Sequence, residues 1–365
     1  PNYHAPRNPV VLCHGLFGYD YKGFESMPAL QLHYWRGVKA TLEKLGATVY
    51  VARVASTGNV RQRAEQLHAL LSSIAAKSDS TAAATAEADG RPRINLVGHS
   101  MGGLDGRYLV SHVRPHEYDV VSLTTVATPH RGSPFMDWCR DVLGLASIPP
   151  PDGIPADTTE RIRSYVAAQL TGASRSVVDA LTACLQLMAD KPAYIFLTTD
   201  YCKRVFNPNT PDSPRTRYYS YGAIADPADI GWLTVLKFTQ SVVSARAGPN
   251  DGVVPHNSSR WGTYVETLPA DHFALTGRGP GLADALDGLA AYMSSASSLL
   301  TSAELLNVLR KNSASGSSGR TAAFSPLSSS SSSSSSSAAS PAASASFNVN
   351  DFYAWLCTRL YRDGF

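Results

Sequence analysis

Short apolar runs separated by stretches of helical periodicity constrain this chain more than any other feature. Pro9-Val10-Val11-Leu12-Cys13 and Arg93-Ile94-Asn95-Leu96-Val97 read as buried strands, Ala47-Thr48-Val49-Tyr50-Val51-Ala52 alternates like a strand, and Asp119 to Ala127 reads as another. Between them the spacing predicts a helix from about Tyr34 to Leu45 and a second from Asn59 to about Ala76. Val60, Ala64, Leu67, Leu71 and Ile74 of the second recur every three or four residues. Gly46 marks the change from helix to strand. Strands alternating with helices are joined by crossovers rather than hairpins, which calls for an α/β fold: a mostly parallel central sheet with helices on both faces.

The alternation stops from Phe135 to about Asn209. Ile148-Pro149-Pro150-Pro151-Asp152-Gly153-Ile154-Pro155 suits neither a helix nor a central strand, so this segment reads as an insertion over the sheet. Within it a helical stretch is expected near Thr159 to Leu170. A second has Val177, Val178, Leu181, Cys184, Leu185 and Met188 on one face and Asp179, Thr182 and Gln186 opposite. Strand character returns at Arg217 to Gly222 and at Tyr264 to Leu268. Lys77 to Arg91 reads as a surface insertion. Ser313 to Ser346 contains ten consecutive serines, Ser328 to Ser337, and is too poor in apolar side chains to order itself, so it reads as a flexible insert. Beyond it Phe347 to Phe365 is amphipathic and is expected to dock back as a helix. Residues 1–312 and 347–365 thus make one domain, with 135–209 as its insertion.

With 365 residues, 44% hydrophobic and 17% charged, the chain buries a sizeable core. Its 32 basic and 29 acidic side chains are dispersed, which excludes a nucleic-acid-binding stripe. No run approaches the ~18 apolar residues of a membrane span, and Pro1-Asn2-Tyr3-His4 has no signal-peptide character, so any leader is absent or already removed. None of the five cysteines forms a C-x-x-C pair, which argues against a zinc or redox site. Cys13 lies in a buried strand. In an exported protein Cys139, Cys184, Cys202 and Cys357 would form two disulfides in any of three connectivities, and the sequon Asn257-Ser258-Ser259 favours export.

The strongest chemical signal is Gly98-His99-Ser100-Met101-Gly102, a G-x-S-x-G between a predicted strand and a predicted helix. Small residues there permit a sharp turn that lifts the serine hydroxyl above the sheet, and the helix N-terminus favours a developing negative charge. A serine hydroxyl needs a general base, itself held by an acid, in the chain order Ser, Asp or Glu, His. Asp251, at an apolar-flanked turn expected at a strand end, and His272, twenty-one residues later, fit that order with room for one strand between them. Asp226 and Asp229 compete as acids. His256 competes as base but follows Asp251 too closely for a separate loop. Two donors are needed for the oxyanion. The N–H of Met101 is one, and the loop His14-Gly15-Leu16-Phe17-Gly18 supplies the other, from Leu16 or alternatively Phe17. His14 itself reads as a structural hydrogen-bonding residue.

His14-Gly15-Leu16-Phe17-Gly18, Gly98-His99-Ser100-Met101-Gly102-Gly103, Thr128-Pro129-His130-Arg131-Gly132-Ser133, Asn250-Asp251-Gly252 and Asp271-His272-Phe273, in this order, resemble the α/β-hydrolase fold. Within it they resemble secreted triacylglycerol lipases of fungal and bacterial type, over most of Pro9 to about Tyr292 and the final helix. The resemblance implies Ser100, Asp251 and His272 as a triad, Leu16 and Met101 as the oxyanion hole, and a cap over the site formed by residues 135–209. It also implies an acylglycerol or related ester as substrate, transient contact with a lipid–water interface, and no cofactor. Related bacterial lipases often bind calcium through an aspartate two residues after the catalytic histidine. Ala274 stands there, so no metal is expected. A short-chain carboxylesterase, a polyesterase or a thioesterase would use the same triad, and a catalytically dead lipid-binding module would keep the fold without it.

Overall fold

The computed structural model describes residues 2–18, 21–22, 32–78, 90–142, 192–228, 230, 235–278 and 347–365. Six strands form one sheet: β1 (Val10–Cys13), β4 (Val49–Val51), β5 (Arg93–His99), β6 (Asp119–Val126), β7 (Arg217–Ala223) and β8 (Thr263–Leu268). Their order is β4-β1-β5-β6-β7-β8 and every pairing is parallel. Two short strands missed in the sequence, β2 (Tyr21–Lys22) and β3 (Leu32–His33), pair antiparallel as a separate two-stranded sheet.

Strand periodicity sorts the core. Val10 and Leu12 face one side with α1 (Val38–Lys44) and the C-terminal helix α6 (Val349–Arg362), whose Phe352, Tyr353, Leu356, Cys357 and Leu360 are buried there. Val11 and Cys13 face the other side, against Ala64, Leu67, Leu71 and Ile74 of α2 (Val60–Ser78). Each apolar side chain so buried contributes roughly 1.5–3 kcal/mol over exposure, which is why a sheet of this kind needs helices on both faces. α6 is started by Asn348, whose side-chain oxygen accepts from the N–H groups of Asn350 and Asp351.

A third cluster joins α3 (Met101–Tyr108) to α4 (Pro134–Val142) and to α5 (Val235–Ala247), a helix missed in the sequence. Short helical turns between Pro192 and Asn209 complete it, so Phe135, Trp138, Tyr194, Leu197 and Phe206, at both ends of the expected cap, are core residues. The cap helices near 159–170 and 177–188, most of the insertion at 77–91, the insert at 313–346 and Asp229 lie outside the described residues.

Two expectations are corrected. The first helix starts at Val38 rather than Tyr34, because Gly37 takes a left-handed φ of 76°; Tyr34 and Trp35 turn inward ahead of it, 6% and 3% exposed. The two-disulfide framework does not form. Cys202 and Cys357 are free, buried thiols on opposite sides of the sheet, Cys202 beside α4 and Cys357 under α6. Cys139 is buried as well, and Cys184 lies outside the described residues. These side chains act as small apolar core groups, and burial pushes the Cys202 and Cys357 thiols up to about 12. Cys13, Cys202 and Cys357 are therefore expected to resist alkylation by iodoacetamide in the native protein and to be modified quantitatively, without reductant, once it is unfolded. Peptide mapping by mass spectrometry checks this; a disulfide-linked Cys202 or Cys357 peptide would contradict it.

Candidate active site

The turn from β5 into α3 puts Ser100 at φ 55°, ψ −129°, a conformation few side-chain-bearing residues adopt. Close approach on either side holds it there. A Cβ on Gly98 would lie 2.6 Å from Gly103 N, and one on Gly102 would overlap the Cys13 carbonyl. Ser100 N–H donates to Val126 O at 3.0 Å and its carbonyl accepts from Thr128 Oγ1 at 2.7 Å, tying the turn to the end of β6. This is also a role for the Thr128-Pro129 loop.

Asp251 sits on a tight turn between α5 and β8, closed by a bridge from Asn250 to Pro255, rather than at the end of a main-sheet strand. The turn folds because Asn250 Oδ1 accepts from Gly252 N–H at 2.8 Å, with Gly252 at φ 103°. One carboxylate oxygen of Asp251 accepts from the N–H groups of Val253 and Val254 at 3.0 and 2.7 Å. The other meets His272 Nδ1 at 2.7 Å, both side chains being almost fully buried. With Nδ1 donating to the carboxylate, Nε2 of His272 is the ring's lone-pair nitrogen. His272 N–H donates to Asp251 O at 2.9 Å, so the acid turn fixes backbone and ring together. As expected, one strand, β8, lies between them.

The competing residues are occupied elsewhere. Asp226 accepts from Ala228 N–H at the surface, and His256 pairs with Tyr264 and Thr267. Asp271, next to His272, folds its carboxylate onto the N–H groups of Phe273 and Ala274. His272 is brought beside the Ser100 turn: the rings of His99 and His272 lie 4.6 Å apart.

In the loop after β1, Gly15 N–H donates to the Tyr34 hydroxyl at 3.1 Å, Phe17 N–H to Ser56 O at 2.7 Å and Gly18 N–H to Gly15 O at 3.1 Å. Leu16 N–H has no protein acceptor among the described residues. Met101 N–H lies in the first turn of α3, where donors have no intrahelical partner. Of the two loop candidates, Leu16 is thus the one whose donor is not already used. His14 is fully buried; burial, then the charge of Arg63, hold its pKa down at about 3. It is a neutral structural ring that meets Gly15 O and Val54 N–H.

Three participants were not legible in the sequence. Arg63, from α2, is fully buried, pairs with Asp105 of α3 at 2.7 Å and donates to the carbonyls of His14 and Ala55. Its partner Asp105 was equally silent, and Tyr34 was assigned to a helix. Arg63 falls on a helical face read only for its apolar members, and no local pattern marks a charge that will be buried. Among the described residues no group of three or more His, Cys, Asp or Glu is placed to hold a metal, and no helix is long and apolar enough to cross a membrane.

A curated relative, triacylglycerol lipase 2 of Saccharomyces cerevisiae, is 32% identical over 302 residues, spanning 73% of this chain and 79% of that one. The chain belongs to the triacylglycerol lipase family. It is a serine ester hydrolase of lipase type. A triacylglycerol lipase of Vibrio cholerae is 30% identical over 283 residues, covering 72% of this chain and 77% of that protein. The profile of the family described as palmitoyl protein thioesterase matches residues 9–173, the part that holds the loop after β1 and the Ser100 turn. Among solved structures, the mature lipase BlEst2 of Bacillus licheniformis superposes with a TM-score of 0.50 at 21% identity, over 80% of this chain and 94% of that one. That likeness bears out the α/β-hydrolase fold.

Proposed function

We propose that this member of the lipase family hydrolyses acylglycerol esters at a lipid–water interface, outside the cell, with Ser100, His272 and Asp251 as its triad. The observation that carries the reading is the 2.7 Å bond from His272 Nδ1 to a carboxylate whose other oxygen is already held by two backbone N–H groups. That arrangement leaves one nitrogen, Nε2, to serve as base beside Ser100. Ser100 Oγ attacks the ester carbonyl while His272 Nε2 takes its proton, and the N–H groups of Leu16 and Met101 hold the resulting oxyanion. Collapse of this intermediate breaks the ester C–O bond as the imidazolium returns the proton to the leaving alcohol. Water then repeats the sequence on the acyl-enzyme and releases the fatty acid. Degradation of lipid outside the cell is the role that fits this chemistry, the sequon and the resemblance to secreted lipases.

Residues 135–209 are the cap in this reading. Thioester cleavage is the second reading, supported by the family profile over residues 9–173, because the same triad and oxyanion donors serve a thioester carbonyl. The deciding experiment measures hydrolysis across acyl chains from acetyl to oleoyl, as soluble esters, as emulsified triacylglycerol and as palmitoyl-coenzyme A. Rates on long-chain emulsions at least equal to those on short soluble esters are expected. Activity that collapses beyond short acyl chains would make this an esterase, and a preference for the thioester would favour the second reading.

A further inference from the structure

Tyr34 sits under the site, 6% exposed, with its ring packed edge-on against Trp35 and the Arg278 guanidinium 5.1 Å from its centroid. Its hydroxyl touches two parts of the machinery. It accepts from Gly15 N–H at 3.1 Å, and it lies 2.7 Å from Nδ1 of His99. The opposite ring nitrogen of His99, Nε2, lies 3.1 Å from the carbonyl oxygen of His272.

The direction of each bond follows from chemistry. A carbonyl oxygen only accepts, so His99 Nε2 carries the hydrogen. Burial, and then the neighbouring His272, hold the His99 pKa well below the ordinary histidine range, so the ring is neutral and Nδ1 is an acceptor. The Tyr34 O–H therefore donates to Nδ1 and its oxygen receives Gly15 N–H. The result is a three-bond chain of single polarity running from Gly15 through Tyr34 and His99 to His272. At one end Gly15 immediately precedes Leu16 and lies against the nucleophile, since a Cβ on Gly15 would fall 2.7 Å from Ser100 Cβ and 3.2 Å from the Tyr34 oxygen. At the other end is the backbone of the general base. His99 belongs to the nucleophile turn itself.

We propose that Tyr34 and His99 are positioning residues that lock the loop bearing the oxyanion donor to the loop bearing the base, across the nucleophile turn. The proposal rests on the assignment of Ser100, His272 and Leu16 given above. Neither side chain reacts. Their work is to keep the Leu16 N–H and His272 Nε2 in register with Ser100, where a misplacement of ~1 Å costs on the order of 10²-fold in rate.

Tyr34→Phe removes one oxygen and no ring contact. It is expected to lower kcat by roughly 10- to 100-fold on a soluble ester with KM changed less than about 3-fold. A phosphonate titrant should still count one active site per chain, and affinity for an alkyl boronic acid, which forms a tetrahedral adduct, should fall in step with kcat/KM. His99→Leu, which removes both the N–H for His272 O and the acceptor for Tyr34, should lower kcat as well. The double variant should be no slower than the slower single one, because the chain is broken only once. A Tyr34→Phe kcat within about 2-fold of wild type, or a loss matched by lost titratable sites, would overturn the proposal. So would multiplicative losses in the double variant. If one variant does not fold, the other decides by the same readouts; if neither folds, the network is a folding element and the proposal fails. Ser100→Ala run alongside separates the two levels: an inactive Ser100→Ala with an unaffected Tyr34→Phe sinks only the positioning role, whereas an active Ser100→Ala sinks both.

Discussion

Ser100→Ala is expected to lower kcat for ester hydrolysis by roughly 10⁴-fold or more, with the unfolding midpoint within about 2 °C of wild type. In the proposed mechanism the hydroxyl forms the acyl bond, so its loss leaves only binding and the oxyanion donors. The stability effect is small because what holds the turn is backbone: Ser100 N–H to Val126 O, its carbonyl to Thr128, and glycines at 98 and 102. Alanine keeps all of these. Asp251→Asn should cost about 10⁴-fold as well, since an amide at that place cannot both take the Val253 and Val254 N–H groups and accept from His272 Nδ1 without presenting its NH₂ to one of them. Single-turnover hydrolysis of a chromogenic ester, with thermal unfolding of the same samples, checks both. Residual activity of Ser100→Ala near wild type would remove the nucleophile assignment.

Arg63→Met is expected to destabilise the fold by about 3–5 kcal/mol, a drop in unfolding midpoint on the order of 10 °C. The Arg63 guanidinium is fully buried and satisfies three groups at once: the Asp105 carboxylate, the Ala55 carbonyl and the His14 carbonyl. Its removal leaves a buried carboxyl with no partner, because the second Asp105 oxygen already has none. Burial is the leading influence on that carboxyl and raises its pKa to about 6 even with the guanidinium present. The cost is mostly the orphaned acid rather than the lost attraction, so Arg63→Met combined with Asp105→Leu should recover much of the stability. Differential scanning calorimetry of the three variants tests this, and a single variant that melts with the wild type would show that the pair contributes nothing.

The contrast between these two sites explains what was legible. The Ser100 turn announces itself because its backbone needs small residues at fixed offsets, and that need is written locally as G-x-S-x-G between a strand and a helix. The sheet is equally legible, because strands covered on both faces must be continuous apolar runs. Asp251 and His272 were readable through chain order and loop spacing, although the turn carrying Asp251 follows α5 rather than a strand, and α5 itself went unseen. Cys202 and Cys357 misled, because cysteine counts do not say which side of a sheet a thiol faces. Tyr34 and Arg63 gave no signal.

The α/β class, the sharp turn at Ser100 and the candidate set Ser100, Asp251 and His272 are already written in the amino-acid order, since each depends on periodicity, chain order or steric demands within a few residues. That Leu16 rather than Phe17 keeps an unused N–H, that Arg63 is buried, and that Tyr34 and His99 bridge the loop after β1 to His272 follows from long-range packing alone. Those outcomes depend on which distant segments compete for the same donors and acceptors. Burial makes every such group find a partner, and the partner is chosen by packing across the sheet rather than by neighbours in the chain.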